Sequence, residues 1–216
     1  MAKPNIVTKE SLLEAANECL VEKGMQGFTL RAVAKFADVT QGTVYYHFKT
    51  KEQLLIDMAT HVKEMILSDI EETEDYLNDS LELKKSAEKK VVFRYKLILM
   101  LTAMGFDYPE ILEEMNAVFK AQSDDLTDSL LADWESSPID NIDDDMWGVL
   151  VQSLIDGLAY QAVQSKTYSV KELFAAAQEL LAYLGRSTEA GEKDEAEEEK
   201  ESRPMFGLPK KNNLFY

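Results

Sequence analysis

Apolar residues along the first fifty positions recur at helical spacing, and each short run opens on a hydroxyl residue able to cap it. Thr8 precedes a stripe of Leu12, Ala15, Ala16, Cys19 and Leu20, which closes at Lys23 and Gly24. Thr29 precedes Leu30, Val33, Ala34 and Ala37, and Thr40 precedes Val44 and Phe48, four residues apart on one face. Asp38 and Val39 stand between these two runs, and aspartate tolerates the left-handed backbone that a tight corner requires. The face opposite Val44 and Phe48 carries Gln41, Thr43, Tyr46 and Lys49. A helix too short to fold alone, held by two apolar residues and otherwise polar, has the form of a recognition helix in a DNA major groove.

The pattern then lengthens. Thr50 and Gln53 form a capping box before Leu54, Leu55, Met58, Val62, Met65, Ile66 and Ile70, which predicts a helix to Tyr76, about 38 Å long. A polar break at Asn78, Asp79 and Ser80 leads to a helix over residues 81–106 that is apolar nearly all round from Val91, the mark of a central core element. Asp107 can cap the next helix, with Pro109 in its first turn and Ile111, Leu112, Met115, Val118 and Phe119 at helical spacing. Leu126, Leu130, Leu131 and Trp134 either continue it or form a separate element, ended by Ser136, Ser137 and Pro138. Asp143, Asp144 and Asp145 suit the start of a helix through Met146, Trp147, Leu150, Leu154, Ile155, Leu158, Ala162 and Val163, with a second stripe at Val149, Val151 and Ala159. Ser169 and Glu172 box the last helix, predicted to stop at Gly185. The fold class is therefore all-α.

Charge sharpens this picture. The net charge is −17, yet residues 1–64 hold eight Lys or Arg against eight Asp or Glu, so the rest of the chain carries the whole excess. Within 23–51, five bases (Lys23, Arg31, Lys35, Lys49, Lys51) face one acid, Asp38. A basic surface on an acidic body can dock on phosphates while the body weakens non-specific binding. No apolar run has the roughly 18 residues of a membrane span, and the N-terminus lacks a signal-peptide core. With one cysteine, Cys19, the expectation is a reduced core thiol in a cytoplasmic protein, a redox sensor being the alternative. Two histidines and one cysteine make no metal cluster, no catalytic constellation is visible, and nothing calls for a cofactor.

The run T-Q-G-T-V-Y-Y-H-F-K-T-K-E-Q-L, with the order and spacing from Ala15 through Gly24 to Phe28-Thr29-Leu30-Arg31, resembles the signature of the TetR family of bacterial transcriptional regulators. The resemblance implies an N-terminal three-helix helix-turn-helix DNA-binding domain, here 1–50. It implies a helical ligand-binding and dimerisation domain at 51–185, while 186–216 read as an acidic disordered tail with a basic, apolar end. It further implies a homodimer on a palindromic double-stranded DNA operator, answering to a small-molecule effector and involving no membrane. Carried onto this chain, Thr40, Gln41, Gly42 and Thr43 open the recognition helix near base edges, Gln41 suited to adenine and the Thr43 methyl to thymine. Gly42 would let the backbone approach phosphates closely. Tyr45, Tyr46, His47 and Lys51 match positions that contact phosphate, and Thr29 and Leu30 can touch the backbone too. Packing inside the head is the other reading of Tyr45, and a surface role capping local backbone that of His47.

The family's pockets lie among the middle helices, which makes Met65, Phe93, Arg94, Leu97, Met100, Leu101, Met104, Phe119 and Trp147 the candidates. Methionines and aromatics at helical spacing are also ordinary core. A buried Arg94 needs a carboxylate, from the protein more readily than from an acidic ligand. The last two helices match the place of the family's four-helix dimer interface, so Leu150, Leu154, Leu158, Leu173, Phe174, Leu180 and Leu181 are candidates there, closure of the monomer core being the alternative. A regulator acting through protein partners instead of DNA, its tail recruiting them, is the competing function.

Overall fold

The computed structural model describes residues 7–72, 85–134, 136–164 and 167–194, and every regular element among them is an α-helix. In chain order these are α1 (Lys9–Gly27), α2 (Leu30–Phe36), α3 (Gln41–Phe48), α4 (Lys51–Glu72), α5 (Lys85–Gly105), α6 (Pro109–Trp134), α7 (Asp144–Gln164) and α8 (Val170–Asp194). An N-terminal helix-turn-helix unit is followed by a larger helical body.

Local chemistry sets most of the boundaries. Thr8 accepts the Ser11 N–H while the Ser11 hydroxyl accepts the Thr8 N–H, a closed capping box. Thr29 and Thr40 cap α2 and α3 by accepting from Ala32 and Thr43. Asp38 takes the corner at φ 51°, the left-handed conformation its short polar side chain tolerates. At Gly24 the backbone breaks (φ 68°, ψ 174°), but the helix resumes for one more turn to Gly27 instead of ending there.

Further along, Gln53 donates its N–H to Thr50, yet its side chain turns to Asp57 at 2.9 Å, leaving the expected box half made. Tyr108, not Asp107, is the residue before α6, and its carbonyl accepts from Ile111 and Leu112. The stretch from Leu126 to Trp134 continues α6 as one 26-residue helix. Ser169 and Glu172 close their box in both directions. Gly185 does not stop α8, which runs to Asp194. Glycine permits a left-handed stop without forcing one, and its Glu, Lys, Ala and Arg neighbours favour helix. Residues 187–194, expected to be disordered, are thus helical, while 195–216, 73–76 of the predicted fourth helix, the break at Asn78 to Ser80 and most of the loose N-terminal arm lie outside the described residues.

One apolar cluster joins the head to the body. Leu12, Leu20, Phe28, Val33, Val44 and Phe48 pack with Leu54, Met58, Val62 and Ile66 of α4 and on to Leu97, Leu101, Ile111 and Met115. A second cluster, with Tyr95, Leu126, Trp147, Ile155, Phe174 and Leu181, fills the space among α5 to α8. The α5 helix is central but not buried all round: Leu99 is 37% exposed, and Phe106, just beyond its end, is 80% exposed. Polar ties fasten α4 to its neighbours. Lys9 of α1 pairs with Asp57, Glu114 of α6 accepts from Thr60 and pairs with Lys63, and Arg94 of α5 meets Asp69 at 3.2 Å.

Candidate nucleic-acid interface and effector cleft

The α3 helix splits cleanly into an anchored face and an open one. Val44 and Phe48 are fully buried, while Tyr45 is 57% and Tyr46 72% exposed. The exposure of Tyr45 removes its packing alternative. His47 is half-buried, its ring edge-on to Tyr46 with centroids 5.3 Å apart and tilted against Phe48. Gln41, Gly42 and Thr40 are exposed at the helix start, and the Thr40 and Thr43 hydroxyls lie 3.0 Å apart, which orients both at that end. A Cβ on Gly42 would meet only the Thr40 hydroxyl, at 3.6 Å, so internal packing does not demand glycine there.

The helix ends on Lys49 at φ 62°, a conformation unusual for lysine. Its ammonium returns to donate to the Tyr46 carbonyl at 2.7 Å and sits 5.0 Å from the Tyr46 ring centroid. Lys51 is exposed, its ammonium 5.5 Å from the Phe28 ring centroid. Thr29 is exposed at the start of α2, and Leu30 beside it is partly buried against the head core. The ten sequence-expected residues thus lie at the starts of α2, α3 and α4 and along α3.

Three bases of the expected basic surface also come together. Lys23, Arg31 and Lys35 line a depression of about 450 Å³ together with Thr29 and Phe36. Lys23 is turned to Glu22, at 2.7 Å. The resumed turn of α1 after Gly24 makes one wall of this basic hollow, and spacing alone did not predict that turn.

Elsewhere in the head, Cys19 is fully buried and burial pushes its thiol pKa up, which works against the thiolate a redox sensor needs. Among the described residues no group of three or more His, Cys, Asp or Glu could hold a metal, and no helix is long and apolar enough to cross a membrane.

In the body, a cleft of about 420 Å³ opens between α6 and α7. Phe119 alone of the nine expected pocket residues lines it. Leu97, Leu101, Met104 and Trp147 are buried in the two cores, and Met65, Phe93 and Met100 pack against one of them. Arg94 pairs with Asp69, the protein carboxylate its burial called for. Methionine and aromatic stripes fill space at helix contacts, whereas this cleft is lined largely by Ser, Thr, Gln and Asp.

The interface candidates divide as well. Phe174 and Leu181 are 1% and 6% exposed inside the chain's own core. Leu154, Leu158 and Leu173 are half-buried. Leu150 and Leu180 are exposed, with Met146, Val149, Tyr168 and Tyr183 on the same two helices or the turn between them.

Asp156 is the cleft's most perturbed group. Burial raises its pKa from 3.8 to about 6, against the opposing pull of the Gln152 amide, 2.9 Å away, and the Arg94 charge. Tyr160 beside it is pushed to about 12, by burial first and the Asp156 charge second. Because the folded pKa of Asp156 lies above the unfolded one, its contribution favours the fold below pH 3.8 and is lost as pH rises through about 6. Asp156→Asn removes that loss. The variant should be about 1–3 kcal/mol more stable than the parent at pH 8, the gain shrinking as pH falls below about 6 and approaching zero only below about pH 4. Urea unfolding of both proteins across this range checks it.

Comparisons with known proteins agree with this layout. A family model described as "Bacterial regulatory proteins, tetR family" matches residues 12–58, which run from α1 through α3 into α4. The transcriptional repressor AcnR of Corynebacterium glutamicum is 25% identical over 122 residues, 50% of this chain and 61% of the repressor. The chain thus spans about three-fifths of that relative's length. A transcriptional regulator from Rhodococcus sp. has the same fold, with a TM-score of 0.67 at 20% identity, covering 84% of this chain and 97% of the other. So does a regulator from Saccharomonospora viridis solved in complex with choline, with a TM-score of 0.66 at 16% identity, covering 80% and 94%. Residues 12–58, which hold the capped helix-turn-helix, thus match the tetR family of bacterial regulatory proteins, and the chain shares its fold with these regulators over most of its length.

Proposed function

We propose that this protein is a DNA-binding transcriptional repressor, a cytoplasmic homodimer that leaves a near-palindromic operator when a small molecule enters its helical body. The observation that carries the reading is the divided α3 helix. Val44 and Phe48 pin it to the core while two tyrosines stand open beside Gln41, Thr43 and Lys51. Leaving two large aromatic rings in water has no folding benefit, and such rings are well suited to phosphate and sugar contacts. Residues 1–50 would form the reading head, 51–185 the sensing and pairing body, and 186–216 a tail dispensable for DNA binding.

Pairing through α7 and α8 is supported by their exposed Met146, Leu150, Leu180 and Tyr183. A two-fold axis there would present two heads to half-sites about one DNA turn, or a multiple of it, apart. Signalling would run along α4, which contributes to the head core and is tied to α5 and α6 by Arg94–Asp69 and Lys63–Glu114. A ligand that favours one packing of α5 to α7 would then tilt α4 and change the head spacing. The choline bound by the Saccharomonospora regulator supports a small-molecule effector in a body of this fold.

The reading is tested by fluorescence-anisotropy titration of operator DNA at several salt concentrations. Lys51→Ala should lower the slope of log K against log salt by about 1 per head, and Tyr46→Phe should weaken binding several-fold with no change in stability. Binding and salt slopes that match the parent in both variants would remove α3 and the start of α4 from the DNA interface.

A further inference from the structure

We infer that the α6–α7 cleft is a receptor for an organic cation with an apolar body, a class of ligand that the regulatory reading above leaves open and on which this inference rests only for its biological use. Four features of the cleft converge on that class.

The first is size and permanence. A volume of about 420 Å³ falls within the range of small-molecule sites. Its walls are held where α6 and α7 touch: a Cβ on Gly148 would lie 1.7 Å from the Thr127 hydroxyl and 3.1 Å from the Ser123 carbonyl, so the Thr127 side chain packs directly on the α7 backbone. Thr127 and Ser123 also line the cleft, and the Thr127 hydroxyl is committed to the Ser123 carbonyl at 2.8 Å. The cleft is therefore preformed by a rigid contact.

The second is charge. Asp124, Asp145 and Asp156 line it against a single base, Lys120, whose ammonium is held by Asp124 at 2.7 Å. An anionic ligand would meet three carboxylates with the one opposing charge already engaged, so anions are disfavoured.

The third is the state of Asp156. It is half-buried in the cleft wall, and Gln152, itself only 7% exposed, donates to its Oδ1. A carboxylate partly stripped of water and given one amide donor is poorly compensated, and a cation arriving beside it restores what burial removed. Arg94 acts on it electrostatically but is already joined to Asp69, which spreads that charge over two acids.

The fourth is the apolar wall. Phe119 and Val149 flank the carboxylates, one on each helix. A bare metal ion or small inorganic cation would gain nothing from them, whereas an ammonium or amidinium carrying an alkyl or aryl group would use both surfaces. A ring face such as Phe119 is also a favourable neighbour for a quaternary ammonium.

The test uses the full chain without DNA, so that it stands or falls apart from the operator reading. Benzyltrimethylammonium is titrated by calorimetry at pH 7.5 against its neutral near-isostere, 2-methyl-1-phenylpropan-2-ol. The cation should bind at least tenfold more tightly than the alcohol, and Asp156→Asn should weaken the cation at least tenfold while leaving the alcohol unchanged. Asp140→Asn, outside the cleft, serves as the control for loss of general surface charge and should leave cation binding as in the parent. Equal affinity for cation and alcohol, or an Asp156→Asn protein that folds and binds the cation as the parent does, would overturn the inference. An equal loss in Asp140→Asn would also overturn it, because the attraction would then be a property of the acidic body as a whole. If the cation binds as expected but does not displace operator DNA, the cleft assignment stands and its regulatory role is what fails.

Discussion

Phe48→Ala should cost the protein about 3–5 kcal/mol, the range for truncating a buried phenylalanine, and should abolish DNA binding with it. Phe48 is fully buried, and with Val44 it is the whole apolar anchorage of an eight-residue helix. A helix that short is not stable by itself, so it holds its shape only while its anchors are packed. The loss should spread beyond α3, because Phe48 belongs to the cluster that continues through Leu54 and Met58 of α4 to Leu101 and Met115 of the body. A chain of this kind has roughly 5–15 kcal/mol of stability in all, so the variant would be marginal at 37 °C. The contrast comes from Tyr46→Ala on the same helix. Its side chain is 72% exposed, so stability should change by no more than about 0.5 kcal/mol. Urea denaturation followed by circular dichroism separates the two, and similar midpoints would mean that α3 is not anchored as described.

Gly148→Ala is the second large effect, and its origin is a collision instead of a cavity. The new methyl would stand 1.7 Å from the Thr127 hydroxyl and 2.9 Å from its Cβ, far inside contact distance. Alanine is worth about 1 kcal/mol more than glycine in a helix interior, so propensity alone predicts a stabilised protein. Overpacking costs typically about 1–3 kcal/mol, and here a backbone carbonyl at 3.1 Å blocks the easy escape, which places the net effect near 2 kcal/mol destabilising. Thr127→Ala in the same chain should recover part of the loss, since it removes the hydroxyl though not the Cβ. Thermal unfolding of the two single variants and the double variant measures the coupling, and additive effects would show that α6 and α7 do not approach at this point.

How much of this was written in the sequence depends on the range of the forces involved. The head was legible because its determinants are local. Thr8, Thr29 and Thr40 cap helices within three residues of themselves, Asp38 turns a corner it is chemically suited to, and Val44 and Phe48 announce a buried face by spacing alone. Exceptions in the head came from backbone states with no side-chain signal. Lys49 adopts φ 62° although lysine gives no hint of it, and α1 resumes after Gly24 for an exposed turn whose Gly27 borders the same hollow as α2.

The body was legible as helices and illegible as a site. Leu97, Met104 and Trp147 carry the same apolar pattern whether they wall a cavity or fill one, and they fill it. The cleft between α6 and α7 is created by a glycine on one helix meeting a threonine twenty-one residues away on another, a tertiary event that no periodicity encodes. Its acids could be read only as solvated surface until the helices were placed side by side. Likewise Phe174 and Leu181 could not be told from Leu150 and Leu180 by spacing, though burial divides them sharply.

Thr29 to Lys51 should present a DNA-reading surface. Its most direct test is footprinting of the purified full chain, at low salt, on the DNA flanking its own gene. The expected result is a protected segment with two-fold symmetry, its half-sites about one helical turn or a multiple apart, lost on combining Tyr46→Ala with Lys51→Ala in a protein that remains folded. No protected segment at low salt, or one that survives the double substitution unchanged, would contradict it.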